Sequence, residues 1–171
     1  MIRGFIAASL DGFVADAGGG VDFLKPFGGV DYGYDTFIAG IGTVVVGRAT
    51  YDQIPSFGVG WPYPGRTGVV VTSRPLDPVY PDVSAWGGPL AALAATLRES
   101  PRDSWVVGGA RLQAAFIAEG LLDRLELFVV PVLLGGGIAL FPGGLVSPRP
   151  LRLSSSETLG GGMVRLDYRF D

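Results

Sequence analysis

The chain has 171 residues, 48% of them hydrophobic and 17% charged, which predicts one folded domain over residues 1–171 and argues against disorder. Its net charge of −3 gives no basic surface for nucleic acid, and no apolar run reaches the ~18 residues that a membrane span requires. Cysteine and histidine are absent, which excludes disulfides, thiolate or imidazole metal sites and a Ser-His-Asp triad, so no bound metal is expected.

The first half of the chain alternates short apolar runs with helical spacing. The apolar start meets Asp11 early, which predicts a first strand rather than a signal peptide, and a cytoplasmic protein. Residues 31–41 predict a helix because apolar side chains recur three and four positions apart, and a short helix is predicted after Gly47. Residues 55–66, crowded with proline and glycine, predict a loop. The strands predicted in this half are residues Ile2–Ser9, 43–47 and 67–73.

The second half continues the alternation and ends in strands. The predicted helices are residues 89–100 and 110–120, and the predicted strands are residues 104–107, 124–134 and 163–170. Pro131 would lie at a bulge or an edge. The last strand alternates strictly, with Arg165, Asp167 and Arg169 facing outward, as an antiparallel, half-exposed strand does. This order predicts an α/β fold with three αβα layers around a mixed, mostly parallel sheet that has an antiparallel C-terminal edge.

Three arginines follow the predicted valine-rich strands: Arg48 after "VVVG", Arg74 after "VVVTS" and Arg111 after "WVVGGA". The carboxyl ends of parallel strands share one edge of a sheet, and open α/β sheets bind ligands there. Guanidinium groups at that edge suit a ligand with several negative charges, above all phosphate. The alternative for Arg48 is an ion pair with Asp52, although a cation at a helix start opposes the helix dipole.

The pair Gly108 and Gly109 stands between a predicted strand and a predicted helix. Without side chains at this point, a diphosphate could approach the backbone and the amides that open the helix. A simple tight turn is the alternative interpretation. Neither the G-x-G-x-x-G fingerprint nor the P-loop motif is present in the sequence.

The segments "VVVGRATYDQI", "VVVTSR" and "WVVGGARL", in this order, resemble the dihydrofolate reductase-like family. The most similar branch is the reductase domain of the bifunctional riboflavin-biosynthesis deaminase–reductase, with its stand-alone relatives. "IAASLDGFVAD" and "GLLDRLELFVVPVLLGGGIALF" are typical of that branch, so the resemblance spans nearly the whole chain. The deaminase half needs a zinc site of histidine and cysteine, which this chain lacks, so the resemblance implies a reductase only.

The resemblance implies an NADPH site at the strand ends. Thr72, Ser73 and Arg74 would surround the adenosine 2′-phosphate, residues 108–112 would hold the diphosphate, and Ala7 would lie beside the nicotinamide and the substrate ring. The implied cofactor-binding residues are Ala8, Gly47, Arg48, Thr50, Thr72, Ser73, Arg74, Val107, Gly108, Gly109, Ala110, Arg111 and Leu112.

Reduction of a C=N bond needs a proton as well as a hydride. In dihydrofolate reductases an acidic residue on the helix before the Gly-Arg-x-Thr segment supports this step, and the predicted helix here offers Asp31 and Asp35. At helical spacing Asp31 lies about 70° from the centre of the apolar face and Asp35 about 110°. We therefore expect Asp31 to be the catalytic acid and both carboxylates to lie near the substrate. A helix N-cap is the alternative role of Asp31.

These observations predict an NADPH-dependent reductase that transfers a hydride to a C=N or C=O bond of a small pteridine- or pyrimidine-like heterocycle. The resemblance implies an activity of the 5-amino-6-(5-phosphoribosylamino)uracil reductase type and leaves a place in riboflavin biosynthesis open. The alternatives are a true dihydrofolate reductase and a non-catalytic nucleotide-binding module. The alternating last strand and the apolar "LFVVPVLL" segment predict a homodimer that forms through strand edges.

Overall fold

The computed structural model describes residues 1–144 and 148–170. The strands are β1 Ile2–Ser9, β2 Phe13–Ala15, β3 Ile41–Gly47, β4 Thr67–Val71, β5 Val83–Trp86, β6 Asp103–Gly108, β7 Arg124–Val130, β8 Ile138–Ala139, β9 Arg152–Thr158 and β10 Val164–Arg169. The helices are α1 Tyr34–Gly40, α2 Arg48–Gln53, α3 Leu90–Arg98 and α4 Ala110–Ala118, with 3₁₀ turns at Asp22–Phe27, Ile54–Phe57 and Gly160–Gly162.

Eight strands form the large sheet in the order β5-β4-β3-β6-β1-β7-β10-β9. Every neighbouring pair from β5 to β7 is parallel, and β10 and β9 are added antiparallel at one side. The predicted mostly parallel sheet with an antiparallel C-terminal edge is thereby confirmed. The carboxyl ends of β3, β4 and β6, which are adjacent strands, lie together at one edge.

Helices cover both faces of this sheet. Val45 and Val106 pack with α3 and α4 on one face, and their neighbours Val44 and Trp105 pack on the other face, where α1 lies. Side chains alternate along a strand, so a strand buried on both faces needs apolar residues at successive positions. The valine runs of the sequence follow from this requirement, and the predicted three-layer αβα arrangement is confirmed.

The first helix is shorter than the predicted 31–41. Gly33 adopts a left-handed conformation, with φ of 77°, and Ile41 is already extended, so α1 holds only Tyr34–Gly40. A right-handed helix cannot continue through either conformation. Asp31 therefore precedes the helix, and its Oδ1 accepts a hydrogen bond from the Gly33 amide at 2.9 Å. The N-cap position belongs to Gly33.

The C-terminal side of the sheet departs from the prediction in three ways. Strand β7 ends at Val130, not at residue 134, because Pro131 has no N–H to donate to a neighbouring strand. The edge strand is β9, which the sequence analysis missed, and β10 lies between β7 and β9. Asp167 does not face solvent; it is 4% exposed and is paired with Arg124. Strands β2, β5 and β8 were also missed.

Two loops at the carboxyl edge are tied to one another. Asp11, after β1, accepts hydrogen bonds from the Ser9 hydroxyl at 2.6 Å and from the amides of Leu134 and Gly135. The hydrogen bond from Ser9 does most to hold the pKa of Asp11 below its usual value. Gly137 follows with φ of 143°, and a Cβ at this position would collide with the Ala15 carbonyl. This crossing fixes the short β2–β8 pair.

The helices of the described residues are short. The longest, α3 and α4, have nine residues each, and in the part of the chain that the structure describes none is long and apolar enough to cross a bilayer.

Candidate active site

A trough of three connected cavities runs along the carboxyl edge of the sheet. Its first cavity, of about 590 Å³, lies between the end of β3 and the start of α4. A middle cavity of about 360 Å³ shares Ala49, Gly109 and Ala110 with the first and shares Ala7 and Trp105 with the third. The third, of about 270 Å³, is an aromatic pocket. Together they can hold an extended ligand end to end with a second, smaller molecule.

Glycines shape the first cavity. Gly47 packs against the loop at Gly108 and Gly109. A Cβ on Gly47 would stand 3.6 Å from the Gly108 carbonyl oxygen and from the Gly109 nitrogen. Gly108 has φ of 127°, which favours glycine, and its peptide bond to Gly109 is cis. Helix α4 begins directly after Gly109, and no side chain caps it. Its first amides are thus available to an anionic ligand.

The three predicted arginines lie at this edge but differ in their partners. Arg48 donates from Nε to Asp52 at 2.6 Å and from Nη1 to the Pro75 carbonyl at 2.7 Å. Arg74 lies 3.7 Å from the other oxygen of Asp52. The ion pair considered as the alternative for Arg48 is therefore formed. Arg111 is exposed, lines the first cavity with Arg48, and has no hydrogen-bond or ion-pair partner among the described residues.

The third cavity is built from aromatic side chains on the α1 face of the sheet. Phe5 of β1 and Phe128 of β7 have ring centroids 4.6 Å apart. Tyr32 approaches both rings, at 6.1 and 5.8 Å, and Tyr34 lies 6.2 Å from Phe5. Trp105 of β6 meets the same cluster edge-on. The full lining is Phe5, Ile6, Ala7, Leu24, Phe27, Gly28, Tyr32, Tyr34, Trp105, Phe128 and Met163.

The hydroxyl groups of Tyr34 and Tyr63 stay protonated at neutral pH. Burial raises the pKa of Tyr34, with a smaller contribution from Tyr32. Burial also raises the pKa of the neighbouring Tyr63 to about 12. A protonated phenol can donate a hydrogen bond without carrying charge.

The structure brings most of the predicted cofactor residues to the trough. Gly47, Arg48, Thr50, Val107, Gly109, Ala110, Arg111 and Leu112 line the first or middle cavity. Ala7 lines both the middle cavity and the aromatic pocket. Ala8 is buried and lines none of the three cavities. Gly108 is buried beneath the first cavity wall.

The remaining predicted residues lie outside the cavity linings. Thr72, Ser73 and Arg74 follow the end of β4, where the Arg74 amide donates to the Thr72 hydroxyl at 3.1 Å. Asp31 and Asp35 are both exposed, and neither lines the aromatic pocket. The residues next to Asp31 and Asp35 in the chain, Tyr32 and Tyr34, line it instead.

Sequence reasoning missed the aromatic pocket and the loop that closes the trough. Ile138 of β8 lines the first two cavities, and Gln53 at the end of α2 lines the middle one. The period-two alternation of Phe5 and Ala7 along β1 was a usable signal, because both positions share one face of a predicted strand. The loop carried no periodic signal; only the run of glycines before Ile138 marked it.

A mostly parallel αβα sheet that carries a glycine-walled trough at its carboxyl edge is the dihydrofolate reductase-like architecture. The sequence model of the RibD C-terminal domain matches residues 89–165. The uncharacterized protein YwjB of Bacillus subtilis is 35% identical over 166 residues, which cover 96% of this chain and 94% of YwjB. The chain belongs to the RibD C-terminal domain family, a family of reductase domains that use a nucleotide cofactor.

Solved structures agree with this assignment. A putative riboflavin biosynthesis protein from Shewanella sp. PV-4 matches with a TM-score of 0.87 and 30% identity, over 98% of this chain and 97% of that one. The diaminohydroxyphosphoribosylaminopyrimidine deaminase/5-amino-6-(5-phosphoribosylamino)uracil reductase of Thermotoga maritima matches with a TM-score of 0.74 at 15% identity. The match covers 99% of this chain but 56% of the Thermotoga protein, and it shows a shared fold.

Proposed function

We propose that this protein is an NADPH-dependent reductase that transfers a hydride to a C=N or C=O bond of a small heterocycle. The observation that carries the proposal is the continuity of the trough: the glycine-walled cavity leads through the middle cavity into the aromatic pocket, and Ala7 and Trp105 border both of the last two. A dinucleotide and a flat substrate placed in this order would meet beside Ala7. When bound, the dihydronicotinamide ring supplies the hydride.

The residues of the first cavity suit a dinucleotide diphosphate. Gly47 lets the Gly108–Gly109 loop pack close to the end of β3, and the uncapped amides of α4 can donate to the diphosphate oxygens. Arg111 offers a guanidinium that has no partner among the described residues. Arg74 and Arg48, which share the single carboxylate of Asp52, are the proposed partners of the 2′-phosphate. These two arginines would therefore distinguish NADPH from NADH by binding the additional 2′-phosphate of NADPH.

Titration with NADPH and with NADH, followed by quenching of the tryptophan fluorescence, tests the cofactor. Trp105 borders the trough, so a bound nicotinamide should quench it. We expect NADPH to bind at least about ten-fold more tightly, since a charge-assisted hydrogen bond contributes ~1.5–3 kcal/mol. The Arg74→Gln variant should lose this preference, and Arg102→Gln, at an exposed arginine outside the trough, should keep it. Equal affinities in the unmodified protein would refute the 2′-phosphate roles.

The proton donor is proposed to be Asp31. Its carboxylate is exposed, so we expect substitution by asparagine to leave the fold intact and to report on catalysis alone. Asp31→Asn should lower kcat about 100-fold or more if the carboxyl supplies the proton, whereas Asp35→Asn, with a carboxylate on the first turn of α1, should not. Tyr34 provides the competing donor, because its hydroxyl belongs to the pocket wall and stays protonated. A large loss in Tyr34→Phe with full activity in Asp31→Asn would transfer the role to the tyrosine.

The reaction itself is tested by NADPH oxidation with a panel of reducible heterocycles. The panel includes 7,8-dihydropterins, dihydrofolate and 5-amino-6-(5-phosphoribosylamino)uracil in its open-chain form, which represent the pteridine and pyrimidine classes. Turnover of any member supports the reductase. Tight NADPH binding without oxidation by any member would favour a non-catalytic nucleotide-binding module, and efficient turnover of dihydrofolate would favour a dihydrofolate reductase.

A homodimer that forms through β9 is proposed as the quaternary state. All seven residues of β9 are exposed, and β9 is the last strand of the large sheet in the part of the chain that the structure describes. Leu153, at 49% exposure, adds apolar surface that a second copy would cover. Sedimentation at micromolar concentration should show a dimer, and Leu153→Arg should convert it to a monomer; a monomeric unmodified protein would contradict the proposal.

A further inference from the structure

The aromatic pocket differs chemically from the rest of the trough. Its lining contains six aromatic residues and no charged residue among the described ones. We propose that this site takes an uncharged, flat aromatic heterocycle that places no phosphate or other anionic group inside the pocket. The reaction that follows binding rests on the proposed function. The binding preference itself depends only on the residues of this cavity.

The geometry of the walls favours a flat ring. Phe5 stacks on Phe37 with centroids 4.1 Å apart, which fixes the Phe5 ring from behind. Phe128 and Tyr32 meet nearly edge-on at 5.8 Å, so the pocket presents ring faces and ring edges to its content. An aromatic guest is stabilised by each such contact beyond the burial of its area. A cavity of about 270 Å³ has room for one small ring system.

Two cations near these walls already have protein partners and do not line the cavity. Lys25 lies on the same 3₁₀ turn as Leu24 and Phe27, yet its amine pairs with Asp22 at 3.0 Å and does not line the cavity. The Arg66 guanidinium, whose field reaches Tyr34, donates to the carbonyls of Pro64 and Ile38. A phosphate in the pocket would lose its hydration without gaining a cation from the lining, which disfavours its binding there.

The lining also offers hydroxyl groups for hydrogen bonding. The Tyr32 and Tyr34 hydroxyls belong to residues of the lining, and Tyr34 keeps its proton. Neutral donors and acceptors match ring nitrogens and carbonyls of a heterocycle rather than a phosphate dianion. The phosphoribosyl substrate that the family resemblance implied is thus the member of the substrate panel that this pocket disfavours.

Two pairs of ligands that differ only by a phosphate test the inference. Isothermal titration of the cofactor-free protein would compare neopterin with neopterin 3′-phosphate, and uridine with uridine 5′-monophosphate. We expect the unphosphorylated partner of at least one pair to bind ten-fold or more tightly than its ester. Equal or tighter binding of both esters, or no binding of any of the four, would overturn the inference. The NADPH titration described above does not depend on this pocket, so a failure of the proposed reductase function would be distinguished from a failure of this inference.

A designed cation sharpens the test. Phe27 lines the pocket and is only partly buried, so Phe27→Arg should place a guanidinium at the wall. We expect this variant to bind neopterin 3′-phosphate at least five-fold more tightly than the unmodified protein does. The matched control is Phe57→Arg, at a phenylalanine that is 56% exposed and lies outside the lining, and it should leave both affinities unchanged. An equal gain in the two variants would mean that the phosphate binds elsewhere.

Discussion

Two groups of three arginines lie at different parts of the sheet, and they differ in how many carboxylates pair with them. At the carboxyl edge, Arg48 and Arg74 share Asp52, and Arg111 has no partner among the described residues. The second group lies on the α1 face, beside a cavity of about 430 Å³. Its members are Arg3, Arg124 and Arg165.

Carboxylates from neighbouring strands form ion pairs with all three members of the second group. Glu126, which is 1% exposed, accepts hydrogen bonds from Arg3 and from Arg165, and Asp167 accepts two from Arg124. Arg3 also donates to Asp103 at 3.0 Å. A cluster of arginines is thus weak evidence of an anion site until its protein partners are known. The deficit of carboxylates at the carboxyl edge is what makes that edge a candidate for phosphate.

The largest expected effect is a loss of stability when an ion pair of the second group, the paired group of Arg3, Arg124 and Arg165, is broken. Glu126→Gln keeps the volume of the side chain but removes the charge that faces Arg3 and Arg165. Breaking a buried ion pair leaves uncompensated charge and costs about 3–5 kcal/mol, and urea denaturation measures this loss. Glu157→Gln is the matched control, because Glu157 is 61% exposed and 3.9 Å from Arg165, so we expect a change below about 0.5 kcal/mol. Similar losses in both variants would mean that burial adds nothing to these pairs.

Arg111, the member of the carboxyl-edge group without a partner among the described residues, should show the opposite behaviour. Arg111→Ala removes an exposed side chain without a described partner, so the stability should change by less than about 0.5 kcal/mol. NADPH affinity should fall about ten-fold, which corresponds to ~1.4 kcal/mol. Calorimetric titration with NADPH and a thermal melt of the same variant measure the two quantities. A large drop in Tm with unchanged affinity would reverse the assignment of this arginine.

The contrast between these groups also explains what the sequence could predict. The strands that precede Arg48 and Arg111 were recognisable because valine runs mark buried parallel strands, and the shared edge follows from topology alone. The partners were not recognisable, since Glu126 and Asp167 meet Arg3 and Arg124 only through the pairing of β7 with β1 and β10. Strict alternation placed Asp167 in solvent, whereas a neighbouring arginine allows it to be buried.

The aromatic pocket illustrates the same limit. Phe5, Trp105 and Phe128 come from three strands that are far apart in the chain but adjacent in the sheet. Local spacing indicates which face each one occupies, and only the strand order brings the three together. The position of Asp31 was mispredicted for a local reason: Gly33 takes a left-handed conformation that no spacing rule reveals. Because the helix begins only after Gly33, the helical angle assigned to Asp31 does not apply.

The smallest expected effect concerns Asp103, at the amino end of the paired group. Burial alone would raise its pKa, but hydrogen bonds from the N-terminal amine and from Arg3 together hold the pKa of Asp103 below its usual value of 3.8. A carboxyl whose pKa is depressed on folding stabilises the protein above the unfolded pKa, and this contribution is lost as the pH falls through the folded pKa. Asp103→Asn should therefore cost about 1 kcal/mol at pH 7 and progressively less below pH ~4. Urea denaturation across this range measures the difference, and a loss that is independent of pH would show that Asp103 acts through packing, not through its charge.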